Sequence, residues 1–172
     1  GLHVPFVRPA CLATDTCGTY ELLLHALDHY EQQGIHYDAV VLLQPTSPFR
    51  RPEDIRGAMT LFGPDTDMVV SVTAAKANPY YNCFEEDADG FLKLSKGNGQ
   101  YVRRQDAPEA WEYNGAVYVI DPRALRKSPL SKFRHIRKYV MDEIHSLDLD
   151  TMLDWKIAEL MLKEGMLDHN EE

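Results

Sequence analysis

Asp148 and Asp150 lie in the stretch Ser146-Leu147-Asp148-Leu149-Asp150-Thr151, where polar and apolar residues alternate. In an extended segment every second side chain leaves by the same face, so the two carboxylates project together. Such a pair can share a hard cation that prefers oxygen donors: Mg²⁺, with Mn²⁺ as the alternative. A cation so placed would stabilise the charge that develops as a phosphoryl group is transferred and pyrophosphate leaves. A plainer reading stays open. Thr151 and Asp154 have capping-box spacing, with Asp in place of the usual Glu, so nearby acids could simply start a helix.

Three other segments carry usable chemistry. Gln44-Pro45-Thr46-Ser47-Pro48 comes directly after an apolar run, and in open α/β sheets ligands bind beyond the carboxyl ends of strands. The prolines stiffen it while Gln44, Thr46 and Ser47 offer donors and acceptors; the alternative is an ordinary polar turn. Arg103-Arg104-Gln105-Asp106 is a basic and amide cluster. A guanidinium fork can grip a carboxylate in a bidentate manner, or these residues are an exposed charge pair. Asn114-Gly115 is the strongest short hairpin-turn signal, and Asn114 could offer its amide to a ligand if the turn lies in a cleft. His25 and His29, four apart, share a helix face, but the intervening Ala-Leu-Asp lacks the Glu of a metalloprotease motif. Helix-surface histidines are expected there.

These segments need a scaffold. The chain has 172 residues, 44% apolar and 26% charged, which suits one α/β domain with its own core. Its net charge of −9 argues against a general nucleic-acid binder. Apolar runs such as 39–43 are far too short to span a membrane, and no signal peptide is visible. Cys11, Cys17 and Cys83 form no CxxC pair, so scattered buried thiols and a cytoplasmic setting are expected.

Helical and strand patterns alternate. Thr19 is placed to cap a helix whose apolar positions are Leu23, Ala26, Leu27 and Tyr30, with Gly34 at its end. Residues 39–43 read as a central strand buried on both faces. Pro52 opens a helix that Gly63-Pro64 stops, and 68–72 is another strand. Residues 85–100 read as a hairpin or exposed loop. Strands are expected at 116–120 and 139–141, and an amphipathic helix over 151–164. Between Arg123 and Lys138 seven basic residues are interspersed with Leu125, Leu130, Phe133 and Ile136, a solvated helix and loop or a partner-binding arm.

In order along the chain, Arg8-Pro9-Ala10-Cys11-Leu12-Ala13-Thr14-Asp15, Leu42-Leu43-Gln44-Pro45-Thr46-Ser47-Pro48, Arg103-Arg104-Gln105-Asp106-Ala107-Pro108, Asn114-Gly115-Ala116-Val117-Tyr118 and the Ser146 to Thr151 motif resemble the CMP-sialic acid synthetases, or acylneuraminate cytidylyltransferases. The resemblance implies a Rossmann-like nucleotidyltransferase fold, of the nucleotide-diphospho-sugar transferase type: a mixed sheet flanked by helices, with a dimerisation extension. It implies a homodimer and the reaction of CTP with a nonulosonic acid, an N-acylneuraminate first, to give the CMP-sugar and pyrophosphate. By position, Asp148 and Asp150 match the metal ligands, Arg8 and Thr19 lie near cytidine, and Gln44, Arg104 and Tyr118 line the sugar site. Arg104 suits the sugar carboxylate, and Asn114 matches an active-site amide. The segment near Phe133, within about 121–140, corresponds to the dimerisation arm.

One departure matters. The family opens with a strand and a Gly- and basic-residue-rich loop that cradles the triphosphate, and nothing like it precedes Arg8. A longer native chain is therefore expected, and the 172 residues alone are expected to be inactive. Two alternatives stand beside this reading: a synthetase for legionaminic or pseudaminic acid, and a non-catalytic sugar-binding or dimerisation module.

Overall fold

The computed structural model describes residues 4, 6–14 and 18–167. In chain order they form α1 (Thr19–Glu31), β1 (Val40–Leu42), α2 (Pro52–Thr60), β2 (Met68–Ala74), β3 (Phe84–Glu86), β4 (Leu92–Leu94), β5 (Trp111–Ile120), α3 (Pro122–Lys127), β6 (Ile136–Val140) and α4 (Met152–Lys163). β3 and β4 make the small hairpin expected over 85–100. The main sheet has the order β1-β5-β2-β6. β5 runs antiparallel to both β1 and β2, and β6 runs parallel to β2. The carboxyl ends of β1, β2 and β6 therefore share one edge with the start of β5.

Period-two side-chain direction makes the sheet two-sided. Met68, Val70 and Val72 of β2 pack with Leu23 and Leu27 of α1, Ala124 and Leu125 of α3, and Phe133. Val69 points the other way, into a cluster with Ala58 of α2, Val117, Val119 and Met141. α4 closes a third cluster, where Ala158 and Met161 meet Phe49, Leu147 and Leu149. The alternating pattern implies α/β layering, and this is the mixed, helix-flanked sheet that the family resemblance implies.

Three local expectations change. Among the described residues β1 is an edge strand, shorter than 39–43, and Val41 and Leu43 keep more than a third of their surface exposed. A continuous apolar run does not tell an edge from a centre; here β2 and β5, whose faces the helices cover, hold the middle. Asn114-Gly115 is not a turn but sits inside β5. Its preference for positive φ serves a bulge instead, with Gly115 at φ +72. Gly18, not Thr19, is the N-cap of α1, and Thr19 is the first helical residue. Segment 121–140, read as a solvated helix and loop or a partner-binding arm, contributes α3 and β6, with Leu125 and Phe133 buried. Its basic residues Arg126, Lys127, Lys132, Arg134, Arg137 and Lys138 stay exposed.

The ends of the helices obey their sequence signals. Gly34, at φ +76, donates to the Glu31 carbonyl while Ile35 donates to Tyr30, the paired bonds that finish a helix in a left-handed residue. Thr151 caps α4, and the Asp154 carboxylate returns the bond to the Thr151 N–H at 2.7 Å. No helix among the described residues is long and apolar enough to cross a membrane.

Candidate functional site

The bulge in β5 organises the site. Pairing with β2 jumps from Val70 opposite Tyr118 to Val72 opposite Tyr113, so Ser71 faces the looped-out residues. The Ser71 hydroxyl donates to Asn114 Oδ1 at 2.6 Å and accepts the Val117 N–H at 2.7 Å, satisfying groups that the broken ladder leaves open. Asn114 is 5% exposed. Its Oδ1 also accepts the Ala116 N–H, and its Nδ2 donates to Ser146 Oγ at 2.8 Å and to Met141 Sδ. The carboxamide thus binds β2, β5 and the segment after β6 to one another.

Two loops converge on that bulge. Arg50, half-buried, donates through Nη1 to the Gln44 carbonyl at 3.0 Å and to the Ala116 carbonyl at 2.7 Å. Burial lowers its pKa, as expected for a cation partly withdrawn from water. The Gln44 side chain hydrogen-bonds the Tyr118 hydroxyl. Burial raises the Tyr118 pKa, the Gln44 bond opposes that rise, and the nearby Tyr113 and Asp148 add to it. The ring of Tyr113 lies edge-on to Tyr118 with centroids 6.4 Å apart.

Asp148 completes this group. A β-carbon at position 115 would lie 3.2 Å from Asp148 Oδ2 and 3.6 Å from Ser47 Oγ, so the glycine permits the carboxylate to approach the strand backbone. Asp148 Oδ1 is buried and has no hydrogen-bond partner. An acceptor oxygen withdrawn from water in this way is costly unless a ligand, cation or water meets it. Gln44, Ser47, Tyr118 and Asp148 therefore form a connected cluster at the carboxyl edge of the sheet.

The remaining expected residues lie apart. Arg104 stands in a short helical turn, exposed, with Nη2 donating to the Ala75 carbonyl at 2.5 Å. It lines a hollow of about 400 Å³ with Ala74, Asn78, Gln105, Glu109 and Trp111. Trp111 starts β5, and the four residues from there to Gly115 span roughly 13 Å of extended chain. Arg104 and Asp148 are thus at two places along one strand, not in contact. Asp150 is exposed just ahead of α4, Arg8 is exposed, and Thr19 is exposed as the first residue of α1. Asp15 and Cys17 lie outside the described residues; Cys11 and Cys83 are free, and Cys11 is exposed where a buried thiol is expected. His25 and His29 pack against Phe6.

No group of three or more His, Cys, Asp or Glu side chains converges into a metal cluster among the described residues. A cation here would have two protein carboxylates at most. The orphaned Asp148 oxygen fits that role, because a hard cation accepts few protein oxygens when phosphates and water supply the rest.

Sequence reasoning missed Ser71 and Arg50. A lone Ser inside Met68-Val69-Val70-Ser71-Val72 is a readable sign of a buried hydrogen bond. Arg50 gave no comparable sign, since its partners are backbone carbonyls.

No family model matches the chain. A CMP-N,N'-diacetyllegionaminic acid synthase of Legionella pneumophila is 30% identical over 165 residues, covering 95% of this chain and 70% of that protein. An N-acylneuraminate cytidylyltransferase of Escherichia coli is 28% identical over 153 residues, covering 88% of this chain and 35% of that protein. In shape the chain is similar to a 4-diphosphocytidyl-2C-methyl-D-erythritol synthase of Anaerococcus prevotii, with a TM-score of 0.57, 13% identity and coverage of 85% of this chain and 67% of that one. That likeness supports the nucleotidyltransferase fold. With identity at this level across nearly its whole length, the chain belongs to the family of CMP-acylneuraminate and CMP-legionaminic acid synthases.

Proposed function

We propose that the complete protein transfers CMP from CTP to the anomeric hydroxyl of a nonulosonic acid, releasing pyrophosphate. An N-acylneuraminate is the first substrate to test. The observation that carries the reading is the cluster itself: a buried carboxylate oxygen without a partner beside a Gln44–Tyr118 pair, at the sheet edge where α/β proteins bind ligands. Asp148 and Asp150 would hold Mg²⁺ or Mn²⁺, which supplies positive charge against the phosphates when bound. Gln44 and Tyr118 orient the sugar through hydrogen bonds. Arg104, a strand segment away, takes the sugar carboxylate, and Arg8 and Thr19 lie toward the cytidine. Asn114 holds the bulge on which these groups stand.

A second reading, legionaminic acid as substrate, is favoured by the 30% identity to the legionaminic acid synthase. Pseudaminic acid is the remaining alternative. A panel of the three acids, assayed for pyrophosphate release with CTP, ranks them; an N-acylneuraminate in last place overturns our first choice. We also propose that the complete protein is a homodimer in the cytoplasm and that the 172 residues alone do not turn over CTP. Sedimentation of the complete protein and an assay of the isolated segment test these points. Asp150→Asn is expected to abolish turnover with the fold intact, and near-normal activity with Mg²⁺ would remove Asp150 from the metal role.

A further inference from the structure

We propose that His145 is a positioning residue for Asp148, acting through a polar brace between the start of α2 and the segment after β6. The proposal rests on the reading of Asp148 as a functional carboxylate. His145 is 3% exposed, a buried polar side chain whose ring must find its hydrogen bond within the protein. Its Nδ1 lies 2.8 and 2.7 Å from the two oxygens of Asp142, and its backbone N–H donates to Asp142 Oδ1 at 2.9 Å. A carboxylate only accepts, so Nδ1 carries the hydrogen. Both bonds close one turn of chain from 142 to 145 onto a single side chain.

The brace continues into α2. Arg51 Nη2 is 3.7 Å from Asp142 and donates to Asp54 at 3.2 Å. Asp54 is 1% exposed and also accepts from the Arg51 N–H and the Tyr139 hydroxyl. The Arg51–Asp142 pair is long and joins half-exposed groups, so it contributes little by itself. The His145–Asp142 contact does most of the fixing, because it is short, a hydrogen bond to a charged group is the stronger kind, and its imidazole side is buried although Asp142 is partly exposed.

The residues just beyond His145 give this brace its purpose. Ser146 is held by Asn114 at 2.8 Å, Leu147 and Leu149 pack under α4, and the Leu149 N–H binds the Thr46 carbonyl. Asp148 Oδ1 has no bond of its own. The position of this carboxylate is therefore set by the backbone on either side of it, and His145 anchors the upstream side. Small displacements of reacting groups cost large factors in rate.

The test uses the complete protein with CTP and the best acid of the three-member panel. His145→Leu keeps bulk and removes the donor; His145→Asn returns a donor near the place of Nδ1. We expect His145→Leu to lower kcat about 10-fold or more with both KM values within about twofold, the pattern of misplaced groups. His145→Asn should recover most of that loss. Amide hydrogen exchange should quicken across 142–149 in His145→Leu while β2 and β5 keep their protection. Unchanged kcat and exchange in His145→Leu overturn the proposal. Equal impairment of the Leu and Asn variants, with lowered melting temperatures, also overturns it, because then His145 only fills space. Should His145→Leu fail to fold, Asp142→Asn removes the acceptor charge from a more exposed site and must show the same kcat loss. Asp148→Asn runs beside these variants: if it stays active, the reading of Asp148 itself fails.

Discussion

Leu149 donates its backbone N–H to the Thr46 carbonyl at 2.9 Å, and this bond fastens the segment bearing Asp148 to the loop bearing Gln44. Neither segment is in regular secondary structure, so neither has ladder bonds to hold its course. Arg50 supplies the second fastening, from the Gln44 loop to Ala116 in the bulge. Asn114 supplies the third, from the bulge to Ser146. The candidate site is thus a triangle of irregular segments whose sides are single, well-defined polar contacts. Each contact is a place where one substitution should separate positioning from folding.

Gly115 is where folding and site coincide. At φ +72 a side chain is strained, and a β-carbon would press on Asp148 Oδ2 at 3.2 Å. Backbone strain of this kind costs about 1–3 kcal/mol. Gly115→Ala is expected to lower stability by that amount and to reduce turnover more than tenfold, since the carboxylate must yield. Chemical unfolding and pyrophosphate release on the same preparation check both parts. Wild-type turnover in a variant that folds would detach Gly115 from the site.

Arg104→Lys tests the hollow beside Trp111. The guanidinium is planar and can bind a carboxylate with two parallel bonds while Nη2 is steadied by the Ala75 carbonyl; an ammonium cannot do both. The KM for the sugar acid is expected to rise about tenfold, the value of one good charged hydrogen bond, with the KM for CTP changed much less. Equal rises for both substrates contradict the assignment.

Much of this arrangement is legible in the chain, and the failures have physical causes. The capping box at Thr151 and Asp154 and the strand at 68–72 are local signals, and both are present in the fold. Among the described residues 39–43 stands at an edge rather than the centre, because apolarity reports burial but not strand order, which long-range pairing with β5 decides. Asn114-Gly115 does not make the expected turn because the dipeptide specifies a left-handed residue, and a bulge needs one as much as a hairpin does. The meeting of Gln44, Tyr118 and Asp148 is implied by family resemblance alone. The brace through Asp142 and His145 is not read from the sequence: the pair lies three apart in an irregular segment with no periodic pattern, and its link to Arg51 joins elements distant in sequence.

Gly57 sets two opposing effects against each other. It lies in α2, where alanine is better than glycine by about 1 kcal/mol. A β-carbon there would run into the ring of Tyr139, whose hydroxyl also donates to the buried Asp54. Overpacking of this kind costs about 1–3 kcal/mol, so the contact outweighs the helix preference. Gly57→Ala is expected to destabilise by about 1–2 kcal/mol. Tyr139→Leu in the same chain should remove part of the penalty, which a double-mutant cycle in urea will show as coupling. A stabilised Gly57→Ala variant would mean that α2 stands farther from β6.

The acid limb of stability offers a check on the junction of β2 and β6. The Asp67 carboxylate accepts the His135 N–H at 2.9 Å and the Arg134 N–H at 3.0 Å, and these bonds, His135 first, hold its pKa below the usual carboxylate value. A carboxyl group whose pKa is depressed by folding is more readily protonated in the unfolded chain. Its contribution is complete above about pH 4, the unfolded value, and is lost as pH falls through the folded one. Asp67→Asn keeps an acceptor oxygen but has no charge to lose. The urea midpoint of wild type should therefore exceed that of the variant at pH 7, and the two should converge as pH drops below about 4. Asp87, Asp142 and Asp154 are depressed as well, so both proteins will weaken in acid; the narrowing difference between them belongs to Asp67. A constant gap from pH 7 to the end of the folded range would show that the bonds to Arg134 and His135 do not distinguish the charged carboxylate from a neutral amide.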